Sequence, residues 1–152
     1  MMAGIVGLTE IQHQNGTSAM TVDTSGRMSK SVQVFWVLGF ANNNQREGTM
    51  IFDTQHKMIN CTYNGSTGEV TVPLAGIYLC TFTTNANDAS KFFKVNGTQV
   101  YSPINHWHNG NDANTLVLPL QLAANDVVVA HLNTDGNGTY GSNTAFTGTF
   151  LG

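Results

Sequence analysis

The chain has 152 residues, enough for one domain with a core of its own and too few for two of ordinary size, and charged residues make up only 10% of it. Nineteen Thr and 17 Asn supply the polarity instead, a composition that disfavours long solvated helices. The net charge is −3 and the basic residues, Arg27, Lys30, Arg46, Lys57, Lys91 and Lys94, are scattered singly, which argues against nucleic-acid binding through phosphate neutralisation.

Residues 1–30 come first and differ from the rest. They mix small apolar residues with Gly16-Thr17-Ser18 and Thr24-Ser25-Gly26, without an alternation long enough for a sandwich strand. The reading is an extended N-terminal arm, with Ile5, Leu8, Ile11, Met20 and Val22 as the residues that dock on a partner surface. Residues 1–8 lack both a basic start and an apolar stretch suited to secretory export, and no apolar run approaches the ~20 residues of a membrane span. A soluble, non-exported protein without membrane insertion is therefore expected.

From residue 31 the periodicity is two. Ser31 to Phe40 is a β-branched and aromatic run that predicts a buried strand, with Phe35 and Trp36 in it, and Asn42 to Gly48 is a loop. Further strands are predicted over 50–53, 58–63, 69–72, 76–84, 91–95, 98–101, 115–122, 127–132 and 144–151. Asn96-Gly97 has the spacing of a two-residue hairpin, and Pro73 and Pro119 belong at strand ends, bulges or edges because proline cannot donate to a ladder. Strict alternation puts Leu118 and Leu120 on one face, and Phe146 and Phe150 share a face with Gly148. With Phe35, Trp36, Tyr78 and Phe82 these residues form the predicted core or subunit interface. Many short strands and no helix give an all-β, antiparallel two-sheet sandwich over 31–152.

The order of these strands resembles the globular-head jelly roll of complement component one-q, shared with the tumour necrosis factor superfamily. The residues that carry the likeness are Met50-Ile51-Phe52-Asp53, Asn60 to Tyr63, Gly76-Ile77-Tyr78-Leu79-Cys80-Thr81-Phe82, Val95-Asn96-Gly97, Leu120-Gln121-Leu122 with Asp126-Val127-Val128, and Thr144 to Leu151 ending in Phe146-x-Gly148. The resemblance implies a homotrimer, and neighbouring Gly-x-Tyr and Phe-x-Gly strands with Gly148 making room for a large side chain opposite. No collagen-like Gly-x-y stalk is present, so a complement-type role is not implied. A second likeness, of Gly7 to Ile11 and Asn15 to Arg27 to a leader in structural proteins of marine tailed phages, implies a virion protein assembled in the host cytoplasm.

Candidates for chemistry are few. His106-Trp107-His108 lies in an Asn-rich loop, where the two imidazoles could share a divalent metal or, with Tyr140 in the Gly-rich stretch 135–141, form a recognition loop; a plain surface loop is the bland alternative. Asp88, Asp112 and Asp135 do not cluster as a calcium cage would, and Asp126 reads as a turn cap. Cys61 and Cys80 read as half-buried thiols rather than a bridge or a reactive pair. No nucleophile elbow, phosphate loop or His-Glu-x-x-His occurs, so no enzyme and no cofactor are expected.

The functional expectation is a non-enzymatic, trimeric virion surface protein, anchored through its arm to the major capsid protein or to tail proteins. A capsid decoration protein or short head appendage is the first role. A tail-fibre protein that contacts a host receptor or glycan is the second. A free carbohydrate- or protein-binding jelly-roll module is the alternative from outside the virion.

Overall fold

The computed structural model describes residues 9–12, 18–30, 32–41, 47–84, 89–100, 114–134 and 143–152. The chain divides into two units, Met1–Gln33 and Val34–Gly152, so the division falls slightly beyond the expected boundary at residue 30.

The first unit departs from an extended arm. Its described residues form a three-stranded antiparallel sheet of β1 (Glu10–Gln12), β2 (Ser18–Val22) and β3 (Met28–Lys30), in the order β1-β2-β3. The turn between β2 and β3 accounts for the difference. Asp23 Oδ1 accepts the N–H groups of Ser25 and Arg27 at 2.8 and 3.0 Å, and Oδ2 takes the Arg27 Nε–H at 2.7 Å. An aspartate that ties down its own following backbone makes a tight reversal. Five residues on one side of the turn and three on the other are enough to pair, although too few to display a readable alternation.

The second unit begins with β4 (Phe35–Gly39), followed by β5 (Gly48–Thr49), β6 (Thr54–Ile59), β7 (Thr62–Asn64), β8 (Glu69–Thr71), β9 (Gly76–Thr84), β10 (Ala89–Val95), β11 (Thr98–Gln99), β12 (Asn114–Leu122), β13 (Val127–Thr134) and β14 (Ala145–Phe150). Every pairing is antiparallel. One sheet runs β12-β9-β14-β4-β6; the other runs β11-β10-β13-β8-β7, with β5 also paired to β13. The two sheets enclose one core, the all-β sandwich that the sequence predicts.

Alternation decides which side chains enter that core. Trp36 and Leu38 from β4, Tyr78, Cys80 and Phe82 from β9 and Phe146 from β14 are fully buried, and they meet Val70, Phe93, Val128, Ala130 and Leu132 from the other sheet. Phe146 is the aromatic hub: its ring lies 5.5 Å from Trp36, 5.7 Å from Phe93 and 6.1 Å from Phe52 between centroids. Gly148 pairs with Trp36 across β14 and β4, and a Cβ at 148 would overlap the indole ring, so the glycine is required by that close approach. Trp36 Nε1 is buried with no hydrogen-bond acceptor among the described residues; the packing of the indole outweighs that cost of roughly 1–3 kcal/mol.

Two predicted strands take a different form. Residues 50–53 are not a strand. Met50 and Phe52 turn inward, Met50 N–H donates to Ala130 O, and the Tyr63 hydroxyl replaces a ladder by accepting from Phe52 N–H at 2.7 Å and donating to Phe52 O at 3.1 Å. The run 58–63 breaks at Asn60, whose φ of 51° turns the chain from β6 in one sheet to β7 in the other.

The hairpin at Asn96-Gly97 forms as the spacing predicts. Both residues have positive φ, 51° and 80°, as a two-residue turn of this hand demands, and glycine meets the second without strain. Pro119 lies in β12 at the sheet's edge and Pro73 just after β8, both positions where a missing donor costs little.

Candidate interaction face

The side of the β12-β9-β14-β4-β6 sheet that points away from the core is the feature to explain. Register sets its rows. Phe35, Thr149, Leu79 and Pro119 stand side by side across β4, β14, β9 and β12, and Val37, Thr147, Thr81 and Val117 form the next row. Gly39, Ala145, Thr83 and Thr115 make the third. Across these rows the side chains are apolar or threonine, without a charge; the first charged neighbour is Lys57 on the edge strand β6, opposite Val37.

The threonines spend their polarity within the sheet. Thr81 Oγ1 and Thr147 Oγ1 are 2.6 Å apart, and Thr83 Oγ1 and Thr115 Oγ1 are 2.9 Å apart, so each hydroxyl has a partner and methyl groups are left on the surface. Val117 is 50% exposed and Ile77 43% exposed. An uncharged surface of this kind, with the His56 ring over Gly39 at its third row, has the chemistry of an interaction face. The opposite sheet behaves differently: on its side away from the core, Lys94 Nζ lies 5.6 Å from the Phe92 ring centroid and His131 stacks on Phe92 at 4.6 Å. His131 also lies 3.3 Å from Thr49 Oγ1, and burial followed by the nearby Lys94 charge lowers its pKa from the ordinary value.

The residues expected in the core or interface divide between two surfaces. Trp36, Tyr78, Phe82, Leu120 and Phe146 are buried between the sheets, Leu118 and Phe150 are partly buried against that core, and Phe35 stands on the outward rows. The outward residues Val37, Leu79, Thr81, Val117 and Thr147 escape a search for apolar stripes, because threonine at alternate positions reads as a solvated face. The available signal is negative: nine residues of β9 and six of β14 without one charge.

The predicted loop residues His106, Trp107, His108 and Tyr140 lie outside the described residues, as do Ile5 and Leu8 and the loop acids Asp88, Asp112 and Asp135. Among the described residues no group of three or more His, Cys, Asp or Glu is arranged to hold a metal ion. Asp126 does cap a turn. Its carboxylate accepts from Asn96 Nδ2 and Ala123 N–H, each at 2.7 Å, while Asn96 Oδ1 accepts Val127 N–H at 3.0 Å. The Asn96 bond, then that from Ala123, holds the Asp126 carboxyl below its ordinary range.

Both cysteines are free thiols. Burial pushes Cys80 up to about 12, and burial likewise raises Cys61, the opposite of what an activated thiolate needs. Cys61 borders an open hollow of 380 Å³ with Asn60, Thr62, Thr71, Pro73 and Asn125, a set without an acid or a base. Lys91 is the one basic residue among the buried side chains of the described core. It alternates with Phe93 on the core side of β10, is 6% exposed, and desolvation pushes its ammonium down to about 8.

These two sheets, with their strand order and shared aromatic core, define an antiparallel jelly-roll sandwich. The model of the C1q domain matches residues 35–152, and the chain belongs to that family. Among solved structures it is similar to the globular domain of zebrafish complement 1qA protein, with a TM-score of 0.62 at 14% identity, covering 80% of this chain and 98% of that one. It is also similar to pika GITRL, with a TM-score of 0.54 at 12% identity, covering 79% and 96%. At such identities the likeness is one of fold. No curated protein matches the chain in sequence.

Proposed function

We propose that this chain forms a homotrimeric, non-enzymatic jelly-roll head that buries the outward rows of the β12-β9-β14-β4-β6 sheet between copies and turns its loops toward a partner. The observation that carries the reading is the uncharged surface of Val37, Leu79, Thr81, Val117 and Thr147, whose hydroxyls are already paired within the sheet. Domains of the C1q and tumour necrosis factor type are typically trimeric, and a threefold assembly gives one such face on each copy a complementary neighbour. The raised thiol pKa values and the turn-capping role of Asp126 add support for a binding rather than a catalytic role.

In the same reading the trimer is a virion component assembled in the host cytoplasm and attached to the particle through its amino-terminal unit. The support is the leader-like sequence Asn15 to Arg27. Capsid decoration is the first role in this reading and host adhesion the second. Immunogold labelling of purified particles tests this directly: label spread over the head supports decoration, label confined to the tail tip supports adhesion, and unlabelled particles would leave the free binding module as the better account.

A further inference from the structure

The buried polar side chains of the described core, Thr84, Lys91 and Thr144, fall in one layer at one end of the sandwich. Register locates that layer. The Phe93 and Phe146 rings meet across the core at 5.7 Å, and β9 ends where β10 and β14 begin. One inward-facing position back toward that end from Phe93 stands Lys91, and one back from Phe146 stands Thr144, with Thr84 beside it at the end of β9. Thr144 Oγ1 donates to Thr84 Oγ1 at 3.2 Å, so a pair of hydroxyls in one sheet faces an ammonium in the other.

Lysines of a folded head normally run their ammonium out to water or pair it with a carboxylate. Lys91 does neither among the described residues. Its neighbour across the ladder is the apolar Leu132, and burial alone, with no hydrogen bond or charge to oppose it, pushes the ammonium down to about 8. At neutral pH it is still a cation in roughly nine chains of ten, a charge taken out of water without compensation. An anion supplies what is missing.

The place of the layer also fits entry from outside. The connections from β4 to β5, β9 to β10, β11 to β12 and β13 to β14 all leave the sheets at this end, and 6% of the Lys91 surface still meets solvent. One ammonium balances one negative charge. Sulfate or a phosphate dianion would carry a second charge out of water with nothing to match it.

We propose that Lys91, with the Thr84 and Thr144 hydroxyls across from it, holds a small monoanion, a carboxylate or a halide, at the loop end of the head. The site lies within one chain and does not depend on the trimer.

Carbon NMR of the full chain, read at the lysine Cε atoms, tests the site by following the titration of Lys91 in sodium acetate and in sodium chloride. Sodium sulfate of equal ionic strength is the reference, and the exposed Lys57 reports bulk screening. The expected result is a Lys91 midpoint raised by about one unit over the sulfate reference, the linkage produced when an anion binds the ammonium about tenfold more tightly than the amine. A rise in acetate alone assigns a carboxylate, a rise in chloride alone assigns a halide, and a rise in both assigns any small monoanion. A midpoint that stays at its sulfate value in both salts, or moves only as far as that of Lys57, overturns the proposal and leaves the layer as a polar cap on the core. Thermal unfolding at neutral pH is the second measurement: the effective salt should raise the melting temperature of the parent chain more than that of Lys91→Met, and equal gains in the two would contradict an anion held at Lys91.

Discussion

The two faces of the β12-β9-β14-β4-β6 sheet share one backbone and differ in what holds them. On the inner face Trp36 packs ring against ring with Tyr78 and Phe146 beside the buried Phe82, and on the outer face Val37, Leu79, Thr81, Val117 and Thr147 form an uncharged surface. The inner face stabilises the fold of one chain. The outer face ties neighbouring strands through its threonine pairs, and its uncharged surface is the one that the proposed trimer buries. What the contrast teaches is that one alternation builds two unlike faces, one buried on folding and one that the proposed trimer buries on assembly.

Substitutions break the two events separately. Phe146→Ala removes the hub of the inner face, and we expect a loss of about 3–5 kcal/mol in urea unfolding, the range for a large aromatic deleted from a packed core. Leu79→Glu places a charge in the middle of the outer face. It should leave the far-ultraviolet β spectrum unchanged and weaken subunit association by at least about 100-fold, because a carboxylate with no partner resists desolvation. Equal losses of secondary structure in both variants would erase the distinction between the faces.

The remaining effects are smaller. Lys91→Met replaces a buried cation by an apolar side chain of similar length and should stabilise the head by about 1 kcal/mol. The parent protein carries a matching pH signature. The folded pKa of Lys91, about 8, is below the unfolded value near 10.5, so the unfolded chain binds more protons between those limits and stability should rise with pH there. Thermal unfolding from pH 7.5 to 10.5 measures it, and Lys91→Met should flatten the rise. At the acid end, Asp126 has a lowered carboxyl pKa, so its contribution is present above the unfolded value of 3.8 and fades as the pH falls through the folded one. Asp126→Asn should shrink the acid-side slope slightly, read from the same melting curves.

Sequence alone located what depends on local rules. Residues 76–84 were legible as a strand from alternation, and Asn96-Gly97 as a hairpin from turn chemistry. Gly148 was legible through the resemblance, with Trp36 as the large side chain opposite. What escaped depends on long-range geometry. Nothing local marks Asn60 as the point where the chain changes sheets, and nothing local says that the Tyr63 hydroxyl stands in for a ladder at Phe52. The short pairing strands around Asp23 hide in a segment that reads as an arm, because three-residue strands carry too little pattern. The outer rows were hardest, since a threonine bonded to another threonine across the sheet looks in sequence like one bonded to water.

Sedimentation equilibrium of the full, unmodified chain, diluted from micromolar to nanomolar, tests the central claim most directly. A mass of three chains that persists through the dilution series is the predicted result. A single-chain mass at micromolar concentration, with the β spectrum of the folded head intact, would mean that the outer face stands open to water and that the association described here does not occur.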